Sequence, residues 1–397
     1  MERRLLPIRF DLTMLTILIF VLILGLLVFV HELGHFITAR RNGIKADEFG
    51  FGFPPRLVGF VKEETTGKYK IIWGNQHVES PQTVYSINWI PLGGFVRIKG
   101  EDPTGEEAHD PDSFAGKSAW VRLKVLGAGV VMNFLLAWLL FSVVLTIGFP
   151  QQVSPAERSK FSKTDVQILQ VVKGSPAETM GLQPGDLLLK LDTQEVANLE
   201  MVSQYINGHA GEKISLTVTR GGTISTLSGV PRKNHPEGEG PLGISFSETA
   251  VVSYPWYLAL WEGLRHTYGF TIEILTVFGT MIAGLFTGTK AQLDVAGPVG
   301  IIYLTKQMSE LGFVYLIQFA AVLSINLGII NALPIPALDG GRMLFVIIEK
   351  LKGSPVSRKV EGYIHQFGFI ALLLLMVIVT FHDLWQFNIW GKIQSLF

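Results

Sequence analysis

The residues His31-Glu32-Leu33-Gly34-His35 follow directly on an apolar run, Thr13 to Val30, that contains no charged side chain. At about 1.5 Å per residue, such a run and the motif after it predict a helix able to cross about 30 Å of hydrocarbon. Ionisable side chains within a membrane helix are energetically costly and usually face a partner or a cavity. Three of them within five residues constrain this chain more than any other feature.

The spacing of these three side chains is typical of a metal site. Histidines four residues apart share one helix face and can ligate one zinc ion, while the glutamate between them accepts a proton from a bound water. Two histidines that snorkel to the lipid headgroups are the alternative. A catalytic zinc keeps three protein ligands and one open position. We therefore expect a third ligand to join His31 and His35, with Glu32 handling protons.

The composition indicates a membrane protein with several spans. Of the 397 residues, 48% are hydrophobic and 17% are charged, which is more apolar surface than one soluble core needs. The formal net charge of zero gives no sign of nucleic acid as a partner. Because cysteine is absent, disulfides and thiolate metal sites are excluded, and histidines and carboxylates remain as ligands.

The pattern along the chain predicts a multi-span α-helical membrane protein with four transmembrane helices, a β-hairpin region and an inserted domain. The segments are a first transmembrane helix (1–38), a cytoplasmic or membrane-entering β-hairpin region and loop (39–122), a second transmembrane helix (123–150), an inserted domain (151–248), an amphipathic interfacial segment (249–310), a third transmembrane helix (311–349), a cytoplasmic loop (350–362), a fourth transmembrane helix (363–386) and a C-terminal tail (387–397).

The first loop is the most basic part of the chain. It holds twelve Lys or Arg up to Lys124, against Arg3, Arg4 and Arg9 in the N-terminal tail, so the positive-inside rule favours a cytoplasmic loop. Within it, residues 44–100 alternate in the manner of short strands, with phenylalanines at 49, 51 and 53 on one face. Such a strand could dip into the membrane boundary and offer a docking edge for an extended peptide. An ordinary cytoplasmic hairpin is equally compatible with the periodicity.

Small and polar residues in the later spans have simpler interpretations. In the second span, the small residues 127–129 predict close packing with another helix, and Asn133 predicts a hydrogen bond across that interface as part of the packing. His365 and His382, at the ends of the last span, are expected at the membrane interface.

Asp339 is the best candidate for the third ligand. It is the only carboxylate in the helix break Pro334 to Arg342, where two prolines and two glycines interrupt an apolar tract. Broken helices at membrane depth line a protein or water-filled cavity. Asp339 can lie close to His31 only if the span that ends before Asp339 crosses the membrane in the same direction as the first span. We therefore expect the inserted domain outside the cytoplasm and residues 254–290 along or partly within the outer interface.

The inserted domain carries the pattern Gly174-Ser175-Pro176-Ala177 followed by Gly181-Leu182 and Gly185-Asp186. This pattern resembles that of bacterial PDZ domains, which receive extended peptide ends by strand addition. The resemblance implies a recognition or gating role for about a hundred residues.

The motif at 31–35, the PDZ pattern and the stretch Asn331 to Gly341 together resemble the site-2 protease family of intramembrane zinc metalloproteases, in its bacterial RseP-type branch. The resemblance implies Zn²⁺ bound by His31, His35 and Asp339, and Glu32 as catalytic base. It also implies that Gly50, Phe51 and Gly52 lie in a membrane-entering hairpin, and that Asn326 and Asn331 hold the substrate backbone.

The family resemblance extends to location and partners. It implies a protein of the bacterial inner membrane that cleaves single-span membrane proteins, among them anti-sigma factors or signal-peptide remnants, within the lipid bilayer. The chain departs from the family pattern at Ala128-Gly129, where Gly-Pro is common, and it carries one set of PDZ markers where two occur in RseP.

Other classes of protein remain open at this point. A membrane-anchored PDZ scaffold would hold its metal without catalysis, but a structural zinc saturates four ligands and the sequence offers three. A zinc transporter would show repeated halves, which are not evident. Iron or cobalt could occupy the same ligands.

Overall fold

In the computed structural model, residues 10–386 are described except for 65, 77, 79, 102–109, 154–157, 159, 160, 162, 163, 237, 288–295 and 355. The predicted tail 387–397, the basic residues of the N-terminal tail and most of the loop after Glu101 lie outside the described residues. The chain divides into two compact units, the first formed by residues 1–141, 263–306 and 318–397, the second by residues 142–262 and 307–317.

The described residues form helices and strands that alternate along the chain. The helices are α1 (Phe10–Arg41), α2 (Ala119–Ile147), α3 (Pro176–Met180), α4 (Leu199–Gly208), α5 (Trp256–Thr287), α6 (Pro298–Leu311), α7 (Phe313–Ala332), α8 (Asp339–Lys352) and α9 (Arg358–Gln386). The strands are β1 (Ala46–Lys62), β2 (Tyr69–Trp73), β3 (Val84–Ile98), β4 (Phe149–Gln152), β5 (Asp165–Val171), β6 (Leu187–Leu191), β7 (Gln194–Glu195), β8 (Ile214–Arg220), β9 (Thr223–Gly229) and β10 (Ile244–Val252).

Five of the described helices, α1, α2, α5, α7 and α9, are long and apolar enough to cross a membrane. The sequence predicts four. The difference arises at α5, where a single helix of 32 residues replaces the expected interfacial segment. Its Glu262, Arg265 and Glu273 make it the least apolar of the five. They do not interrupt it, because Glu and Arg are good helix formers.

Helices α1 and α2 pack closely through small residues, as the sequence predicts. A Cβ on Gly34 would lie 2.7 Å from Met132 Cγ, so only a glycine allows this approach. Further along α1, Ala39 shares a buried core with Val125 and Leu126 of α2. The end of α1 therefore lies beside the beginning of α2, and the two helices are antiparallel.

Strands β1, β2 and β3 form an antiparallel sheet in the order β2-β1-β3, which confirms that the predicted strands form; β1 and β2 make a hairpin, and β3 pairs with the other edge of β1. Phe51 lies opposite Ile87 and Phe60 opposite Tyr85, so these side chains share one face. That face is apolar and exposed, whereas residues of opposite orientation such as Ser86 and Asn88 are buried. The exposed large side chains on the apolar face are Phe51, Phe53, Phe60, Tyr69, Ile71, Trp73, Tyr85, Ile87 and Trp89.

The sheet packs against α1 on both sides of the histidine motif, at Phe29 before it and at Phe36 after it. The ring of Phe49 stacks on Phe36 with centroids 4.5 Å apart. A Cβ on Gly94 would lie 3.0 Å from Phe29 Cδ2, so the glycine lets β3 approach the helix. The sheet and the motif-bearing end of α1 thus pack together within the first unit.

The second unit contains a sheet in the order β4-β10-β5-β6-β8-β9, with β7 paired to β6. Its core is formed by alternating strand residues such as Ile168, Leu191 and Leu216, together with Val202 and Ile206 of α4. Helix α3 is capped by Ser175, whose hydroxyl accepts the amide of Glu178, and by Gly181 in the left-handed conformation (φ 85°). The Gly-Ser-Pro-Ala pattern therefore forms the cap and the first turn of the short helix α3.

Helices α7 and α8 are separated by a break at residues 333–338. Pro334 and Pro336 prevent a continuous helix because proline lacks an amide proton. A Cβ on Gly340 or Gly341 would overlap carbonyl groups of the preceding turn. The two glycines therefore let α8 begin directly against the end of α7, with Asp339 as its first residue.

Candidate metal centre

The structure brings His31, His35 and Asp339 together, although Asp339 lies 308 positions after His31. Nε2 of His31 is 2.9 Å from Oδ2 of Asp339, Nε2 of His35 is 3.2 Å from the same oxygen, and the two nitrogens are 3.1 Å apart. Tetrahedral zinc with bonds of about 2.0–2.1 Å holds its ligand atoms roughly 3.3 Å apart. The three donors therefore fit a zinc ion with little adjustment.

A buried hydrogen bond fixes the ring of His35. Its Nδ1 lies 2.8 Å from the carbonyl oxygen of Val125. Because a carbonyl oxygen only accepts, Nδ1 carries the proton and donates it, and Nε2 presents its lone pair towards His31 and Asp339. A ligand imidazole oriented through its second nitrogen is the usual arrangement at zinc sites.

Asn133 of α2 holds the ring of His31. Its amide Nδ2 lies 3.1 Å from Nδ1 of His31, and its Oδ1 is buried without a hydrogen-bond partner among the described residues. If the two amide atoms exchange places, Oδ1 accepts the Nδ1 proton and the Nε2 lone pair of His31 faces the metal. The sequence predicts a plain packing role for Asn133. The structure differs, because the hydrogen bond across the interface reaches a candidate metal ligand.

Gly129 provides the space in which the donors meet. A Cβ at this position would lie 2.7 Å from Nε2 of His31 and closer still to Nε2 of His35. Any larger residue would push against both imidazoles at the atoms that face the metal. Gly129 thus leaves a space beside the two imidazoles that a side chain would fill. The need for this space explains why α2 carries small residues here.

A cavity of about 220 Å³ adjoins two of the three donors, His31 and Asp339. Its lining includes Glu32, Asn331 and Leu338, as well as His31 and Asp339. Two residues that the sequence singles out for chemistry, Glu32 and Asn331, therefore border the same space as the donors. The cavity is large enough for a peptide group and a water molecule, since a water occupies about 30 Å³ of liquid volume.

Other predicted site residues lie apart from this cavity. Asn326 donates to the carbonyl of Val322, one turn earlier in α7, at 3.1 Å. Gly50, Phe51 and Gly52 lie in β1, where the Phe51 ring is 5.9 Å from the Phe29 ring of α1 and the Gly52 carbonyl accepts the Asn88 amide at 2.8 Å. The contacts described for these three residues are with α1 and β3, not with the metal donors.

Ion pairs connect residues within the sheet and join α8 to α2. Arg56 donates two hydrogen bonds to Glu48, at 2.8 and 2.6 Å. Burial alone would raise the pKa of Glu48, but the hydrogen bonds and positive charge of Arg56 lower it overall. Arg122 of α2 pairs with Glu349 of α8, so α8 is fastened to α2.

The two histidines of α9 differ in their surroundings. His382 is exposed, as expected of an interfacial residue. His365 does not match that expectation, because its Nδ1 accepts the backbone N–H of Ala337 at 2.8 Å, inside the helix break. The only sign of this contact in the sequence was a histidine in an apolar helix, and that sign does not identify Ala337 as the partner.

The membrane helices, the paired histidines and the carboxylate at a helix break define a membrane-embedded metallopeptidase. A profile of peptidase family M50 matches residues 19–74 and 70–375, and the chain belongs to this family. The predicted relationship to the site-2 proteases is confirmed.

Similar proteins support the same assignment. A putative zinc metalloprotease of Clostridium acetobutylicum is 31% identical, with 92% of this chain and 96% of the relative covered. The zinc metalloprotease RasP of Geobacillus kaustophilus is 30% identical over 94% of this chain and 99% of the relative. The regulator of sigma-W protease RasP of Bacillus subtilis is 30% identical over 93% and 98%. The protein is an intramembrane zinc metalloprotease with several membrane helices.

Proposed function

We propose that His31, His35 and Asp339 hold the zinc ion, that Glu32 is the catalytic base, and that the enzyme cleaves peptide bonds in membrane-anchored proteins. The observation that carries this proposal is the cavity that borders Glu32, Asn331 and two of the three donors. Zinc bound there supplies Lewis acidity and lowers the pKa of water to about 7.

The residues around the cavity divide the chemistry between them. Glu32 accepts a proton from the attacking water and delivers it to the leaving amine. Asn331 borders the same cavity and has an amide that can bind a backbone carbonyl or N–H of the substrate. His31 and His35 are buried between helices, and the lower local dielectric strengthens each of these electrostatic contacts.

Substrate binding requires an unwound peptide, because a helix hides its amides in internal hydrogen bonds. We assign the holding of this segment to Asn331 and Asn326 of α7 and to the sheet around Gly50, Phe51 and Gly52. The sheet packs on α1 next to the motif, and its exposed apolar face suits contact with lipid. Strand addition to this sheet would keep the peptide extended.

The topology we propose has four crossings. On α9, His365 contacts the helix break, whereas Asp383 lies 18 residues later, about 27 Å along the helix. Asp383 accepts the amides of Gly297 and Gly300 at 3.1 and 2.7 Å. Residue 297 is thus near the end of α9 remote from Asp339. Helix α7 ends at Ala332, whose carbonyl lies against Gly340, so α7 runs towards the metal donors, as α1 does.

In this topology, helix α5 enters the hydrocarbon region of the membrane but does not cross it, so both of its ends lie on the same side. Its Phe270, Ile274 and Phe278 pack against a core of α2 and α7 residues that includes Phe141 and Ile325. With the basic first loop in the cytoplasm, the metal donors lie near the cytoplasmic side and residues 151–248 lie outside it.

We assign the second unit's sheet to a PDZ domain that recognises or gates substrates. Its sequence pattern and its capped helix α3 support the assignment. Strand β4 pairs with residues 249–252 of β10, and residues 244–247 have no partner on that side among the described strands. This edge could receive an extended peptide end.

The substrates we propose are single-span proteins of the bacterial inner membrane, already shortened by another protease. Anti-sigma factors are candidates, since a Bacillus subtilis relative is named regulator of sigma-W protease. A scaffold with a non-catalytic metal site is the alternative. The open cavity beside Glu32 favours catalysis, because a structural zinc has no use for an accessible acid-base group.

The test is cleavage of a single-span substrate in detergent by the wild type, by Glu32→Gln and by the control Glu195→Gln, whose carboxylate is exposed on strand β7. We expect Glu32→Gln to retain one zinc per chain and to lose at least a hundredfold in kcat, because general base catalysis contributes roughly 10²–10⁴-fold. The control should match the wild type. Robust cleavage by Glu32→Gln would refute the assignment of the base, and chelator-resistant cleavage would refute the zinc mechanism.

A further inference from the structure

The helix break before Asp339 contains a residue in an unfavourable conformation. Ala337 has a φ of +74°, and the only other non-glycine residue with positive φ among the described residues is Asp192. An alanine in the left-handed region brings its Cβ close to the following carbonyl oxygen, which lowers the population of that conformation by roughly five- to thirtyfold. Other contacts must therefore hold Ala337 in place.

Helix α9 supplies such a contact through His365. The backbone N–H of Ala337 donates to Nδ1 of His365 at 2.8 Å. Because Nδ1 accepts, the proton of the neutral ring is on Nε2, which lies 4.0 Å from Oε1 of Glu361 one turn earlier in α9. The ring also lies against Phe345 of α8, with centroids 5.4 Å apart. The imidazole is thus fixed between the break, α8 and its own helix.

A second contact of α9 lies on the same helix face. Gly368, three residues after His365, approaches Pro336 so closely that a Cβ would lie 2.9 Å from the Pro336 carbonyl oxygen. Most other side chains of α9 face outward, for example Phe367 and Leu374. The contacts described here for His365 and Gly368 of α9 are therefore with Pro336 and Ala337 of the break and with Phe345 of α8.

Asp339 is two residues beyond Ala337, so the backbone at Ala337 directs where its carboxylate points. We propose that His365 is a positioning residue: it holds Ala337 in the left-handed conformation and so aims the Asp339 carboxylate at Nε2 of His31 and His35. The last membrane helix is then part of the framework of the metal site. The inference rests on the proposed role of Asp339 as a ligand.

The test measures zinc affinity in detergent by competition with a chelator, with zinc alone as the probe. The variants are His365→Phe, which removes the acceptor, and His365→Asn, whose Oδ1 can replace Nδ1 as acceptor. We expect His365→Phe to weaken zinc binding by roughly five- to thirtyfold and His365→Asn to stay within about threefold of the wild type. The matched control is His382→Phe on the exposed face of the same helix, which should change nothing.

A second-site variant separates positioning from a general loss of packing. Adding Ala337→Gly to His365→Phe should restore most of the lost affinity, because glycine adopts the left-handed conformation without penalty. A merely structural role of His365 predicts no such recovery. The proposal is overturned if the glycine does not rescue binding, or if His365→Asn is as weak as His365→Phe.

Asp339→Asn distinguishes this proposal from the ligand assignment on which it rests. If that variant binds zinc as tightly as the wild type, the ligand assignment fails. If it loses zinc while His365→Phe does not, the ligand assignment stands and the positioning role is overturned.

Discussion

Gly129 offers the most direct test of the metal site, because a single methyl group would enter the space shared by the two histidines. In Gly129→Ala, the new Cβ would lie 2.7 Å from Nε2 of His31, whereas ordinary contacts begin at 3.4 Å. The imidazole must therefore move by about 0.7 Å, and His35 must move as well. Metal–ligand distances vary by only about 0.2 Å at a well-formed site. The substitution should thus disrupt zinc binding rather than the fold.

The expected magnitude follows from two opposing effects. Overpacking of a tight site costs about 1–3 kcal/mol, which corresponds to a roughly five- to hundredfold loss of zinc affinity if the metal-bound state bears the cost. Alanine also stabilises the helix by about 1 kcal/mol relative to glycine, with or without zinc. Thermal unfolding of the metal-free protein should therefore change little, while zinc affinity and substrate cleavage fall together.

Gly127→Ala is the matched control, since it lies on the same helix. The nearest atom to a Cβ there is Met343 Sδ at 3.8 Å, which is ordinary contact. This variant should keep the wild-type zinc affinity and become slightly more stable. The affinities are measured by chelator competition in detergent, and cleavage is followed with a single-span substrate. If Gly129→Ala bound zinc as tightly as Gly127→Ala, the proposed position of the metal would be refuted.

Two further predictions concern the sheet and the topology. In the folded protein, the pKa of Glu48 lies below its ordinary value of 4.5. Ionised Glu48 therefore stabilises the fold above that pH. This stabilisation is lost as the pH falls through the lower pKa of the folded state. We expect Glu48→Gln to lower the free energy of unfolding by about 1.5–3 kcal/mol at pH 7 and the difference from the wild type to shrink below about pH 4.5; a gap independent of pH would contradict this. A reporter inserted after residue 297 should be extracytoplasmic, because Asp383 places Gly297 at the end of α9 remote from Asp339; cytoplasmic activity of the reporter would contradict the four-crossing topology.

The spans, the strands and the candidate zinc ligands could be predicted from the sequence to different degrees. The pairing of His31 with His35 is local, because residues four apart on a helix always share a face. The strands of the first loop follow from their alternation, and the register confirms it. Asp339 was predictable because a carboxylate at a broken apolar helix must face a cavity or a cationic partner to offset the cost of its burial.

Helix α5 shows where local patterns stop being decisive. Its charged residues favour an interfacial segment, yet they are also good helix formers. One continuous helix forms because Phe270, Ile274 and Phe278 find apolar partners on α2 and α7. Those partners lie more than forty positions away in the sequence, so no window of residues reveals them.

The sequence by itself determined the chemistry of this protein, whereas the tertiary structure decided how the reactive groups are held. Donor types and helix spacing are local properties, and they predict zinc and hydrolysis without reference to the fold. Which nitrogen of each imidazole faces the metal depends on the Val125 carbonyl and the Asn133 amide, and the aim of Asp339 depends on the backbone at Ala337 and its bond to His365. A polar group in an apolar helix can bond to any neighbour within reach, and only the packing of helices distant in the chain selects the partner.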